Sequence, residues 1–157
     1  MNGQVKRIVC PVDFSEPSEL ALVQAARQAQ QAGAELHLIA VVQPMPAALI
    51  SDGMPFTDLN PTPDMPTQAA EAHLAKLRDS TCAAVSERTS LHVAVGVPFV
   101  EIVRYAREVE ADLIVMGSHG RTGIEHLLIG SVAERVVRKA PCSVLVVRDA
   151  KRSFVMP

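Results

Sequence analysis

Two hydrophobic rhythms alternate along the chain. Short runs, apolar at nearly every position, occur at Arg7 to Val12, Glu35 to Val42, Leu91 to Val95, Asp112 to Met116 and Ser143 to Val147. Such runs are the pattern of strands buried on both faces. Between them lie longer segments whose apolar residues recur three and four positions apart, the pattern of amphipathic helices. Helices are predicted over Glu16 to Ala32, Thr67 to Arg88, Pro98 to Val109 and Ser131 to Ala140. Ser15 is placed to cap the first and Gly33 to end it. Ala70, Leu74, Leu77, Thr81 and Ala84 form one stripe on the second, and Phe99, Ile102, Val103 and Ala106 face inward on the third.

Strands of this kind alternating with helices predict an α/β fold: a doubly wound, five-stranded parallel sheet with helices on both faces. Ligands in such sheets sit beyond the strand ends where the order reverses. Strand order 3-2-1-4-5 is the economical choice, because it makes Asp13, after the first strand, and Gly117, after the fourth, neighbours at that point. The last strand, Ser143 to Val147, then lies at an edge. It carries no charge and no proline, so it is predicted to pair with a second copy about a two-fold axis.

Residues 1–157 read as one domain with a Pro-rich flexible insertion at about 43–66. That insertion holds Pro44, Pro46, Pro55, Pro61, Pro63 and Pro66, with Met45, Met54 and Met65. It is excluded from a regular helix or a central strand and reads either as a flap near the ligand site or as a disordered connection.

Composition narrows the function classes. A formal net charge of −2 gives no electrostatic footprint for general nucleic-acid binding, and the basic cluster Arg135, Arg138 and Lys139 reads as a solvated helix face. No apolar run approaches the roughly 18 residues of a membrane span, and Asp13 interrupts the first apolar stretch before it could serve as a signal sequence. Cys10, Cys82 and Cys142 form no C-x-x-C pair, which suits a reducing cytoplasm and argues against a zinc site. Cys10 and Cys142 read as small core residues. The five histidines show no metal-ligand spacing, so a metal cage built of protein groups alone is not expected.

The candidate chemistry lies after the fourth strand. Gly117-Ser118-His119-Gly120 is followed nine residues later by Gly130-Ser131, which opens a helix. A strand that ends in glycines and feeds a helix start is a way to build a phosphate site. Glycine has no Cβ to hold the anion away and tolerates positive φ, and the free N–H groups and dipole of the helix face the anion. Ser131 and Glu134 have capping-box spacing. The motif is neither a Walker A loop nor GxGxxG. Asp13 alone reads first as a turn or cap residue, and beside the glycine signature it reads instead as a site residue. Gly123 could serve only a turn, His119 and His126 could be incidental exposed loop residues, and Arg121 could reach a phosphate or face solvent.

Three segments in order and spacing resemble the universal stress protein family. They are the opening Ile8-Val9-Cys10-Pro11-Val12-Asp13-Phe14-Ser15, the G-x2-G-x9-G-S signature from Gly117 through Ser131, and the closing Pro141-Cys142-Ser143-Val144-Leu145-Val146-Val147-Arg148. The resemblance covers nearly the whole chain apart from the Pro-rich insertion. Its intact glycine signature implies the branch of the family that binds ATP, here with Mg²⁺. It implies that Asp13 approaches the ribose or adenine, with Pro11 and Val12 beside it and Val41 packed on the adenine. Met116, Gly117, Gly120, Gly130, Ser131 and Val132 would line the ribose and phosphates, with Ser118 and His119 completing that loop. Ala133 departs from members that carry a hydroxyl there. The resemblance also implies a homodimer through Ser143 to Val147.

The function so implied is a cytoplasmic, ATP-binding stress-response or signalling protein that senses nucleotide. Hydrolysis is expected to be slow at most, because no P-loop lysine and no obvious water-positioning residue is present. The alternative is a dimeric interaction protein that binds no nucleotide. A receiver domain would need acidic residues beside Asp13 and a lysine at a later strand end, and a nucleotidyl transferase of the HIGH type would need paired histidines near the first strand.

Overall fold

The computed structural model describes residues 4–44, 64–119 and 129–148. Their elements run β1 (Arg7–Pro11), α1 (Glu16–Ala32), β2 (Glu35–Val42), α2 (Asp64–Thr81), β3 (Thr89–Val95), α3 (Pro98–Glu108), β4 (Leu113–Gly117), α4 (Ser131–Lys139) and β5 (Ser143–Val147). All five strands are parallel, in the order β3-β2-β1-β4-β5, as the pattern leads one to expect. Register is set by pairs such as Cys10 with Leu38, Val9 with Ile114 and Val115 with Leu145.

Because strand side chains alternate, each strand feeds two cores. Ile8, Cys10, Leu36, Leu38 and Val115 pack with Leu22 of α1 and Leu74 of α2 on one face. Val9, Ile39, Ile114 and Met116 pack with Ile102 and Tyr105 of α3 and Val136 of α4 on the other. The sheet therefore has one helix layer on each side.

α1 shows how local signals set an element. Glu16 and Glu19 in its first turn suit the positive end of the helix dipole. Ser18, Ala21, Leu22, Ala25 and Ala29 make its buried stripe. Gly33 ends it with φ +66°, a left-handed conformation that glycine adopts at no steric cost.

Several expectations need correction. α2 begins at Asp64, inside the segment assigned to the Pro-rich insertion. Pro66 is tolerated because it lies in the first turn, where backbone N–H groups have no helical acceptor. Residues 45–63 of that insertion lie outside the described residues. The same helix stops at Thr81, and Ala83–Arg88 form a 3₁₀ stretch. With fewer residues per turn the inward stripe shifts, so Cys82 and Val85 are buried and Ala84 is exposed. β3 starts two residues earlier than the pattern suggested, with the Thr89 hydroxyl bonded to the Val85 carbonyl at 2.8 Å. β4 excludes Asp112 and includes Gly117. Cys142 is only half-buried and precedes β5, while Cys10 is buried as expected.

Candidate functional site: a cleft at the switch point

The strand order reverses between β1 and β4, and there the carboxyl ends of the strands open into a cleft of about 480 Å³. This volume suits a small-molecule ligand. β1 brings Pro11, Val12 and Asp13 to it, and β2 brings Val41. β4 and the residues after it bring Met116, Gly117, Ser118 and His119, and the start of α4 brings Gly130, Ser131 and Val132. Eleven of the twelve predicted site residues thus line one cavity. The twelfth, Gly120, lies outside the described residues, as do Arg121, Gly123 and His126.

The β1–α1 turn is tightly tied. The Asp13 carboxylate accepts hydrogen bonds from the Ser15 hydroxyl and, at 3.1 Å, from the Ser15 backbone N–H. The Ser18 hydroxyl donates to the Ser15 carbonyl at 2.9 Å and accepts from the Asp13 N–H at 3.4 Å. Asp13 therefore shapes the turn as well as facing the cleft. Ser15 sits at the helix N-cap, but its side chain makes no cap bond because Asp13 holds it. Within this turn Phe14 takes φ +64°. An aromatic residue in the left-handed region is strained, and such strain persists where the surroundings over-determine it.

The two glycines work differently from the sequence-based expectation. Neither Gly117 nor Gly130 takes a positive φ; Gly130 has φ −71° and ψ 156°, open to any residue. At Gly117 the need is space. A Cβ there would lie 2.8 Å from the Pro17 carbonyl oxygen and 2.9 Å from its carbon, so β4 touches the backbone of α1. Ser131 and Glu134 do not form a capping box, because Gly130 is the N-cap and Ser131 already belongs to the helix. The Glu134 N–H bonds the Gly130 carbonyl at 2.9 Å. The preceding N–H groups of that first turn belong to the class that has no helical acceptor, and their residues, Ser131 to Ala133, line the cleft.

His119 is not an exposed loop residue. It is buried beside Ser118, whose hydroxyl lies 3.0 Å from its Nδ1. The Ser118 N–H is held by the Val147 carbonyl at 2.9 Å, and the Ser118 carbonyl accepts the Gly130 N–H at 2.7 Å. β5 and α4 are thereby fixed to the loop after β4. Sequence reasoning missed Phe14, Ser18, His73 of α2, and Pro98 and Ile102 of α3, all of which line the cleft. Ile102 carried a signal, since its inward stripe was legible. His73 carried none, because nothing in the sequence joins it to a turn 59 positions away.

The fold is that of an open, doubly wound α/β protein with a cleft at its topological switch point, where such sheets take their ligands. Residues 4–148 match the universal stress protein family. The chain is 37% identical over 156 residues to universal stress protein MJ0531 of Methanocaldococcus jannaschii, covering 96% of this chain and 88% of that one. Its fold is similar to that of UspA from Lactobacillus plantarum, with a TM-score of 0.74, 27% identity and coverage of 94% and 100%. It is also similar to a universal stress protein solved in complex with cAMP, with a TM-score of 0.68, 26% identity and coverage of 92% and 98%. The chain belongs to the universal stress protein family.

Proposed function

We propose that residues 1–157 act as one unit that binds an adenine nucleotide, ATP, in the switch-point cleft and serves a stress-response or signalling role by sensing it. The observation that carries this reading is that the α4 N-terminus and Asp13 open on one cavity. The helix start suits phosphate, through free N–H groups and the dipole. The Asp13 carboxylate suits a hydroxyl or N–H of the ribose or base. The relative solved with cAMP supports the adenine-nucleotide class.

In this reading Pro11, Val12 and Val41 meet the adenine, and Met116, Gly130, Ser131 and Val132 meet the ribose and phosphates. Ser118 and His119 hold the loop in place, and Gly117 gives it room to pass α1. Gly120 belongs to the proposed site by its position in the signature. In this reading Mg²⁺ arrives with the phosphates. Turnover stays below the roughly 1–10³ s⁻¹ of ordinary enzymes.

The proposed assembly is a homodimer through β5. This strand is an edge of the sheet, and its residues from Val144 to Val147 are only half-buried. An edge strand of this composition is stabilised by a partner that completes its ladder. The proposed location is the cytoplasm; among the described residues no helix is long and apolar enough to cross a membrane.

A native mass spectrum of the purified protein tests site and assembly together. A two-chain species that takes up one ATP per chain is expected. Protein that stays free of added nucleotide would leave the interaction-only reading. A monomeric wild type, or a dimer that Val146→Lys leaves unchanged, would remove the β5 contact.

A further inference from the structure

The sheet order divides the cleft into two halves. On the β4 side lie Ser118, His119 and the start of α4, where polar and backbone donors gather. On the β2 side lie Val41, Val42 and, from α2, Ala69, Ala70 and His73. Between them, at the end of β1, stands Phe14. Its ring and the His73 imidazole are 5.1 Å apart between centroids and inclined at 49°. Both line the cavity.

We propose that Phe14 and His73 form the wall against which the base of the bound nucleotide rests, with His73 the ring that α2 contributes to it. This inference rests on the nucleotide reading above. Phosphate is drawn to the β4 side by the α4 N-terminus, which leaves the apolar β2 side for the flat, weakly polar base. A purine gains there by resting on aromatic faces.

The placement of both rings is fixed rather than incidental. Phe14 is held in its left-handed conformation by the Asp13–Ser15–Ser18 hydrogen bonds, and its inner side packs on the core beneath α1 and α2. His73 is carried by a helix anchored through Ala70 and Leu74, which are buried. His73 itself is exposed, so its replacement leaves the core intact. A nucleotide base leaning on this pair ties α2 to the β1–α1 turn, which links the occupied state to the position of α2.

Calorimetric titration with ATP and Mg²⁺ on wild type, His73→Ala and His73→Phe tests this, together with the imidazole resonance that vanishes in the His73→Ala NMR spectrum. His73→Ala is expected to keep the wild-type melting midpoint and to weaken ATP binding roughly three- to tenfold, as for the loss of one aromatic contact. His73→Phe should stay within about twofold of wild type, a ring for a ring. The imidazole resonance should shift on saturation with ATP. Wild type that binds ATP while His73→Ala binds as tightly, His73→Phe is as weak as His73→Ala, or the resonance does not move, overturns the wall alone. Wild type that gives no heat with ATP overturns the nucleotide reading, and the wall with it.

Discussion

The two ends of the sheet are finished in opposite ways. Where β1 and β2 begin, polar groups close on one another. Asp112 accepts from the backbone N–H groups of Lys6 and Arg7 at 2.8 and 2.9 Å, and its own N–H reaches the Arg7 carbonyl. The Glu35 N–H bonds the Lys6 carbonyl, and Arg7 pairs with Glu110 at 3.2 Å. A little further in, His37 Nδ1 meets the Tyr105 hydroxyl at 3.2 Å, and Tyr105 stacks on His92 at 4.2 Å. Where the strands end, the chain instead spreads around a cavity, with one residue in a left-handed turn and a helix start opened toward it. The first end uses its polar groups to close the strands on one another; the second sets its polar groups around a cavity. Substitutions at the first end should therefore act on stability, and those at the second on binding, with Gly117 as the exception.

That exception is the largest expected effect. Gly117 lines the cleft, yet its missing Cβ serves the contact with Pro17. Gly117→Val should cost about 1–3 kcal/mol of stability, the usual range for overpacking. Urea unfolding reads this as a lower midpoint. An unchanged midpoint would show that the start of α1 moves aside freely.

Next is Tyr105→Phe, which removes the hydroxyl facing His37 and should cost roughly 0.5–1.5 kcal/mol. The same pair carries a pH dependence. Burial lowers the His37 pKa, with Arg7 helping and Glu35 opposing. The fold prefers the neutral imidazole, so this contribution is complete above the ordinary histidine range and is lost as pH falls through it. Unfolding midpoints of wild type should drop between pH 8 and pH 5.5 (about one unit below the ordinary pKa), and His37→Gln should flatten that drop. An equal drop in the variant would assign it to other groups.

Asp112→Asn should have a smaller effect, because water reaches this site. The two backbone N–H groups that bond Asp112 hold its pKa below the ordinary carboxylate value. Its contribution is present above that ordinary value and is lost as pH falls through the lowered one. Wild type and variant should therefore differ in stability at neutral pH and converge in acid. A gap that persists undiminished in acid would count against the bonds.

The sheet order was legible because 3-2-1-4-5 is the economical order that makes Asp13 and Gly117 neighbours at the switch point. α1 was legible because Gly33 punctuates it. What escaped was governed by contacts distant in sequence. The start of α2 was hidden by Pro66, a residue that breaks helices in their interior and is harmless in their first turn. Its early stop at Thr81 was hidden because Ala84 extends the apolar period, although the 3₁₀ stretch turns it outward. The glycines were legible as important and misread in mechanism: Gly117 serves a close approach to α1, which only the packed fold reveals. The left-handed Phe14 could not be read from its side chain, since it is imposed by Asp13, Ser15 and Ser18 around it.

The smallest effect on stability, and the most telling on function, is expected at Gly130. Its backbone conformation admits any residue, so Gly130→Val should shift stability by less than about 1 kcal/mol while placing a side chain at the proposed phosphate subsite. Calorimetric titration of wild type and Gly130→Val with ATP and Mg²⁺ is the most direct test of the claim that this cleft holds an adenine nucleotide. Saturable heat at one ATP per wild-type chain, lost in a variant that unfolds at nearly the wild-type midpoint, is the expected result. Wild type that gives no heat up to millimolar ATP, or a variant that binds as tightly as wild type, would contradict it.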